Sequence, residues 1–322
     1  MRRIAAGLLL ALFAALPAGA QVIEKRGTVV PSLVPAPLQL YRIAWQRSLV
    51  APAALEWRPV EAGTPAVDPA TGLVVVGTRD GWVQAFRDDG TRVWERQVEG
   101  SAGGAVVDGD TVYVGSTGGV LHAFAVGDGR ERWKYDTREE LGTRPVVVNG
   151  RVYVASLQDT VFAIDAQSGA FAWHHRRDTP SGFTVRGAAS VAVADGLVFA
   201  AYSDGFAAGL DAATGVSRWE RQIAPAGEYL DIDSIRLDGS RLYAAAYSGA
   251  VIALDARTGR QAWLAATPEV HRIAVAPGLV VAVTARAIVG LSPSDGSTVW
   301  TAPLDGAPAG EPVMVGRWLA VP

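Results

Sequence analysis

Short apolar runs broken by turn signals recur along the chain, and one stretch shows the whole pattern. Pro145-Val-Val-Val148 reads as a strand, Asn149-Gly150 as a tight-turn dipeptide, Val152 to Ala155 as a second strand and Val161 to Ile164 as a third. Asp165-Ala-Gln-Ser-Gly169 then turns the chain into a fourth strand, Phe171 to His174. A later stretch repeats the order with Arg241-Leu-Tyr-Ala-Ala-Ala, Val251 to Gly259 and Gln261-Ala-Trp263.

The repeat has a fixed inner spacing. Glycine stands four residues before tryptophan in the pairs Gly90/Trp94, Gly129/Trp133, Gly169/Trp173, Gly215/Trp219, Gly259/Trp263 and Gly296/Trp300. The tryptophans are 39, 40, 46, 44 and 37 residues apart, so the inner spacing holds while the outer one drifts. Four strands in a unit of about 40 residues predict an all-β fold, a β-propeller of four-stranded blades. One such sheet is apolar on both faces, and radial stacking is what covers it. The tryptophans are expected on outer strands between neighbouring blades, and the glycines are expected to supply positive φ in the preceding turns. A β-sandwich would leave the repeat unexplained.

The two ends of the chain complicate this ring. Ile43-Ala44-Trp45-Gln46 looks like a fourth strand lacking its own first three, placed to complete the last blade. Pro312-Val-Met-Val315 and Trp318-Leu-Ala-Val321 supply only the first two strands of a seventh unit. The expectation is six complete blades and a partial seventh over residues 43–322, from a truncated product or an irregular closure.

Upstream, Met1-Arg2-Arg3, the apolar run Ile4 to Leu16 and Ala18-Gly19-Ala20 read as a signal peptide over residues 1–20, with Gln21 the new N-terminus. The run is shorter than the roughly 18 apolar residues that a membrane span needs. Residues 21–42, with Pro31, Pro35 and Pro37, read as an extended lead-in. These features predict a periplasmic protein.

Composition narrows the chemistry. There is no cysteine, which excludes thiolate metal sites, cysteine nucleophiles, disulfides and a lipidated cysteine. A net charge of −3 with scattered basic residues makes no electrostatic case for nucleic acid. His174-His175 sits on a predicted strand, where neighbours point to opposite faces and cannot readily share a metal; His122 and His271 stand alone in the sequence. Gly100-Ser-Ala-Gly-Gly104 is expected between strands with no helix start to cradle phosphate, and Asp108-Gly-Asp110 is a hairpin turn lacking the other ligands of a calcium loop. No catalytic residue, cofactor site or metal site is predicted.

The turns Asp165–Trp173, Asp211–Trp219 and Asp255–Trp263 resemble the repeat of quinoprotein propellers, shared by pyrroloquinoline quinone dehydrogenases and their non-catalytic relatives. Among the latter, the chain is most similar to the BamB family of the outer-membrane β-barrel assembly machinery, from about Trp45 to Val321. Two inter-blade segments sharpen the likeness. Pro180-Ser-Gly-Phe-Thr-Val-Arg-Gly187 resembles that family's apolar-x-apolar-Arg-Gly stretch after the third blade, and Leu230-Asp-Ile-Asp233 its Asp-x-Asp segment after the fourth. The resemblance implies a scaffold that docks the central barrel-assembly protein, BamA, through Phe183, Val185, Arg186, Asp231 and Asp233, and so supports insertion of outer-membrane β-barrels. It leaves open a peripheral association with the outer membrane. Two features depart from the family, which normally carries a lipidated cysteine and eight blades.

Residue character alone fits that site less tightly. Phe183 and Val185 would share one face of a strand, as would Asp231 and Asp233, and Arg186 offers a planar donor fork to a partner carboxylate. The same residues would equally serve inside the chain, with Phe183 and Val185 packed between blades and Arg186 bridging to Asp231. Two other functions stay open. A periplasmic propeller that binds a sugar or small ligand in its channel would need convergent polar groups, whereas the innermost strands are rich in Val and Ala. A quinone-dependent dehydrogenase would need a vicinal cysteine pair, which this chain lacks.

Overall fold

The structure, a computed structural model, describes residues 44–50, 63–178, 189–224, 230–304, 312–315 and 318–321. The described residues contain strands and turns, and no helix among them is long and apolar enough to cross a membrane. Six antiparallel sheets, each of four strands in chain order, cover residues 66–97, 102–136, 146–176, 192–222, 232–266 and 270–303. A two-stranded sheet of Val313–Val315 and Trp318–Ala320 follows. The first strands of successive sheets lie against one another along the series, so the sheets stack face to face around a common axis. This is the β-propeller that the repeat predicts.

The described residues share no single central core. Each pair of neighbouring sheets closes its own apolar layer, because the middle strands are buried on both faces. Val74–Gly77 and Thr111–Ser116 are buried throughout, which is why they read as continuous apolar runs rather than as an alternation. Between the fourth and fifth sheets Phe199, Ala207 and Trp219 pack on Ile235, Leu242 and Ile252. Equivalent layers hold Trp94, Trp173 and Trp263, and Trp133 lies at the margin of another.

The tryptophans dock on the next blade in one repeated way. The Trp219 ring lies on the turn glycine of the following sheet, Gly259, and its indole Nε1 donates to the Ala256 carbonyl at 2.9 Å. Trp94, Trp133, Trp173 and Trp263 do the same on Gly129, Gly169, Gly215 and Gly296, donating to the carbonyls of Val126, Ala166, Ala212 and Pro293. The glycines have positive φ, +68° at Gly259, as the sequence predicts. They serve a second purpose that local sequence hides, since a Cβ there would come within 2.4 Å of the Trp219 ring.

A bulge sets each tryptophan in place. In every four-stranded sheet the pairing of third and fourth strands shifts just before the tryptophan, as between Ala253↔Trp263 and Leu254↔Gln261. The residue opposite is small each time: Ala85, Ala123, Ala163, Gly209, Ala253 or Gly290.

At the ends of the series the docking rule persists in part. Trp45 lies over Gly90 and 6.0 Å from Phe86, the place an outer-strand tryptophan of a preceding blade would take, although Ala44–Leu49 form no strand. Trp300 is 38% exposed, against 5–7% for Trp94, Trp173, Trp219 and Trp263, and among the described residues no glycine turn of a following blade covers it. Leu319 and Val321 pack on Ala274, Val281 and Val283 of the sixth sheet.

One local expectation is corrected. Ala102–Asp108 form a single strand, so Gly103 and Gly104 lie within the sheet rather than between strands. The register shifts between Ala102 and Ala105, and the missing side chains let the neighbouring backbones approach: a Cβ on Gly104 would meet that of Arg144 at 2.9 Å.

A candidate docking face

In a meander of antiparallel strands, the connections between sheets and the turns joining second to third strands emerge at the same end of the blades. The first segment singled out in the sequence lies in such a connection, and the second runs from one into the first strand of the fifth sheet. Phe183, Val185 and Arg186 lie outside the described residues, so the geometry of that segment is known only at its two stems. Asp231 and Asp233 are described, at the start of the strand Ile232–Asp238.

The stems of the first connection are held on both sides. Ala189 is buried in the layer between the fourth and fifth sheets. Arg177, leaving the third sheet, reaches across to the fourth. Its Nε donates to Asp204 Oδ2 at 2.8 Å, its Nη1 to Glu220, and its guanidinium lies 4.1 Å above the centre of the Phe206 ring. Beside it, Asp159 accepts hydrogen bonds from the Ser203 amide and hydroxyl, and burial pushes its carboxyl above the ordinary carboxylate value.

Asp233 is placed by a bulge. Ile232 pairs with Ala246 and Ser234 with Ala245, so Asp233 is an extra residue in the ladder. Ile232 faces the core, Asp231 is 1% exposed, and the Asp231 carbonyl accepts the Tyr247 amide at 2.9 Å. The carboxylate of Asp233 is 9% exposed and faces His271 Nδ1 at 3.5 Å. Burial pushes the Asp233 carboxyl above its ordinary value; the hydrogen bond from His271 and the charge of Arg272 oppose this, and the charge of Asp231 adds to it.

His271 is the residue that sequence reasoning missed here. It is itself an extra residue, between Val270↔Thr284 and Arg272↔Val283, so the first strands of the fifth and sixth sheets carry bulges at matching places. Its ring is 5.6 Å from that of Tyr247, and it lines an open hollow with Ser248, Pro268, Glu269 and Arg286. Aligning the two blades on their first turns sets Asp233 against His271, which was the available signal; nothing in either strand alone announces the pair.

The other histidines are also more constrained than an isolated reading suggests. His122 is 2% exposed and held between Glu99 Oε2 at 3.0 Å and Glu131 Oε2 at 3.1 Å, while stacking on Phe124. It ties the exit of the first sheet to the fourth strand of the second. His174 is exposed, but His175 is half-buried near Tyr202 and Glu220, and desolvation lowers its pKa. Among the described residues no group of three His, Cys, Asp or Glu side chains is placed to hold a metal.

Comparison with known proteins identifies the family. Residues 79–302 match the profile of the family described as outer membrane protein assembly factor BamB. The BamB of Yersinia pestis is 28% identical over 71% of this chain and 63% of its own length. That of Xanthomonas campestris pv. campestris is 31% identical over 74% and 63% respectively. The chain thus spans about three fifths of the length of these curated relatives. Among solved structures, that of BamB from Moraxella catarrhalis superposes with a TM-score of 0.71 at 24% identity, covering 81% of this chain and 82% of that one, and shares the fold. With a match that runs through all six tryptophan units, the chain belongs to the outer membrane protein assembly factor BamB family.

Proposed function

We propose that this protein is a non-catalytic periplasmic scaffold that binds the outer-membrane barrel-assembly protein and supports the assembly and insertion of outer-membrane β-barrels. The match of residues 79–302 to a family described as an assembly factor carries this reading. The placement of Asp233 in a bulge at the connection end of the blades supports it, because recognition groups concentrate where connections meet a rigid scaffold. Export would follow from cleavage after Ala20, leaving a mature chain that begins at Gln21 at the inner face of the outer membrane. Mass spectrometry of the native protein should find that N-terminus; an intact Met1 in an integral membrane fraction would refute the export assignment.

The docking site would comprise Phe183, Val185, Arg186, Asp231 and Asp233. Calorimetric titration of the purified chain with the periplasmic domains of the barrel-assembly protein tests it. Arg186→Ala should weaken binding by about 2 kcal/mol or more, as an interface anchor does, and leave thermal unfolding nearly unchanged. If the variant melts early while binding stays normal, Arg186 is an internal brace and the site is elsewhere.

A further inference from the structure

We propose that His271 is a positioning residue of the docking site: it reaches across the seam between the fifth and sixth blades and holds the Asp233 carboxylate in place for the partner. The inference rests on the docking role of Asp233 set out above and adds a residue from the next blade to it.

Three observations converge on His271. A carboxylate that is 9% exposed needs hydrogen-bond donors to stay ionised, and His271 Nδ1 at 3.5 Å is placed to be one. The two residues occupy matching bulges on first strands that pack directly together, so the pair is set by blade stacking rather than by a loose surface contact. The His271 side of the pair is open: His271 is 36% exposed and lines the hollow with Tyr247, Glu269 and Arg286, so a partner seated there meets His271 with the Asp233 carboxylate directly behind it.

The charged groups facing Asp233 set the direction of its pH response. His271 and Arg272 from the sixth sheet favour the carboxylate, while Asp231 on its own strand and burial disfavour it. Without His271 the balance tips toward the neutral acid, and a neutral Asp233 offers a partner cation or amide a weaker acceptor. Asparagine at this position can keep a donor near the place of Nδ1; alanine cannot, and the amide of glutamine reaches further, toward the place of Nε2.

The test is titration of the full mature chain with the periplasmic domains of the barrel-assembly protein between pH 5 and 8, with thermal unfolding followed in parallel. His271→Ala should bind about tenfold more weakly at pH 7, the equivalent of one hydrogen bond to a charged group. His271→Asn should stay within about threefold of the parent on the same scale. Binding by His271→Ala should also begin to fail at a higher pH on acidification, since Arg272 alone is left to favour ionised Asp233. In an Asp233→Asn background, removal of His271 should add no further loss, because the two act as one unit. If His271→Ala fails to fold, His271→Asn against His271→Gln decides, with only asparagine near parental affinity. Parental affinity and an unshifted pH profile in His271→Ala, beside a weakened Asp233→Asn, would overturn the role of His271 and leave the docking site standing. Parental affinity in Asp233→Asn would instead remove Asp233 from the docking site, and this proposal with it.

Discussion

Gly259→Ala should destabilise the fold by about 3 kcal/mol, roughly twice the cost of the same change at a positive-φ glycine on the open surface. A new Cβ at Gly259 would stand 2.4 Å from the Trp219 ring, and that ring is 5% exposed with its Nε1 hydrogen-bonded in the same turn. Neither side can yield freely. The ring is held 6.2 Å from Phe199 in the apolar layer with Ile252 and Leu254, and the turn is fixed by the Gly259 amide donating to the Asp255 carbonyl at 2.8 Å. Left-handed strain contributes about 1–2 kcal/mol and overpacking of the interface a further 1–3. Gly196 is the control: its φ is +73°, close to the +68° of Gly259, but a Cβ there meets nothing within 4 Å. Gly196→Ala should therefore carry only the strain. Trp219→Ala should cost about 3–5 kcal/mol by emptying the same seat. Urea unfolding of the three variants measures the differences, and equal losses at Gly259 and Gly196 would show that the seat does not hold the blades together.

Arg177→Ala is the second large effect, expected at about 3 kcal/mol. The arginine joins the third and fourth blades through two carboxylates and the Phe206 ring, and it and Asp204 are 19% and 18% exposed. Glu220 is 32% exposed and partly screened, so the larger share belongs to Asp204, which would be left enclosed without its cation. Arg177→Lys should recover less than half, because an ammonium cannot span both carboxylates with a planar fork while lying flat on Phe206. The surface pair Arg92–Glu95, 49% and 36% exposed, provides the contrast: Arg92→Ala should change stability by no more than about 0.5 kcal/mol. A loss at Arg177 as small as that at Arg92 would mean that the clamp is ornamental to the ring.

How far the fold can be read from the chain follows from where its information lies. The strands of the third unit appear where Pro145-Val-Val-Val148, Val152 to Ala155 and Val161 to Ile164 place them, since strand propensity and turn chemistry act within a few residues. The strand Ala102–Asp108 was obscured by Gly103-Gly104, because glycine carries no pattern and only the approach of neighbouring backbone explains its presence. The site divides in the same way. Asp231 and Asp233 were legible through their place after the fourth blade, whereas His271, 38 residues further on, was not. Their expected sharing of a strand face is corrected: Asp231 stands just before the strand and is 1% exposed, and Asp233 is an extra residue in the bulge with its carboxylate 9% exposed.

The amino-acid sequence by itself determined the four-stranded unit, its sixfold recurrence, the turn glycines and the absence of cysteine chemistry, because each is written in neighbouring residues or in simple counts. Tertiary structure decided what those residues touch. Stacking made each turn glycine the seat of the previous blade's tryptophan, put Arg177 between two carboxylates of the next blade, and brought the bulges of Asp233 and His271 face to face. Such contacts join positions about a blade apart, and no local periodicity encodes a distance that exists only once two sheets have packed.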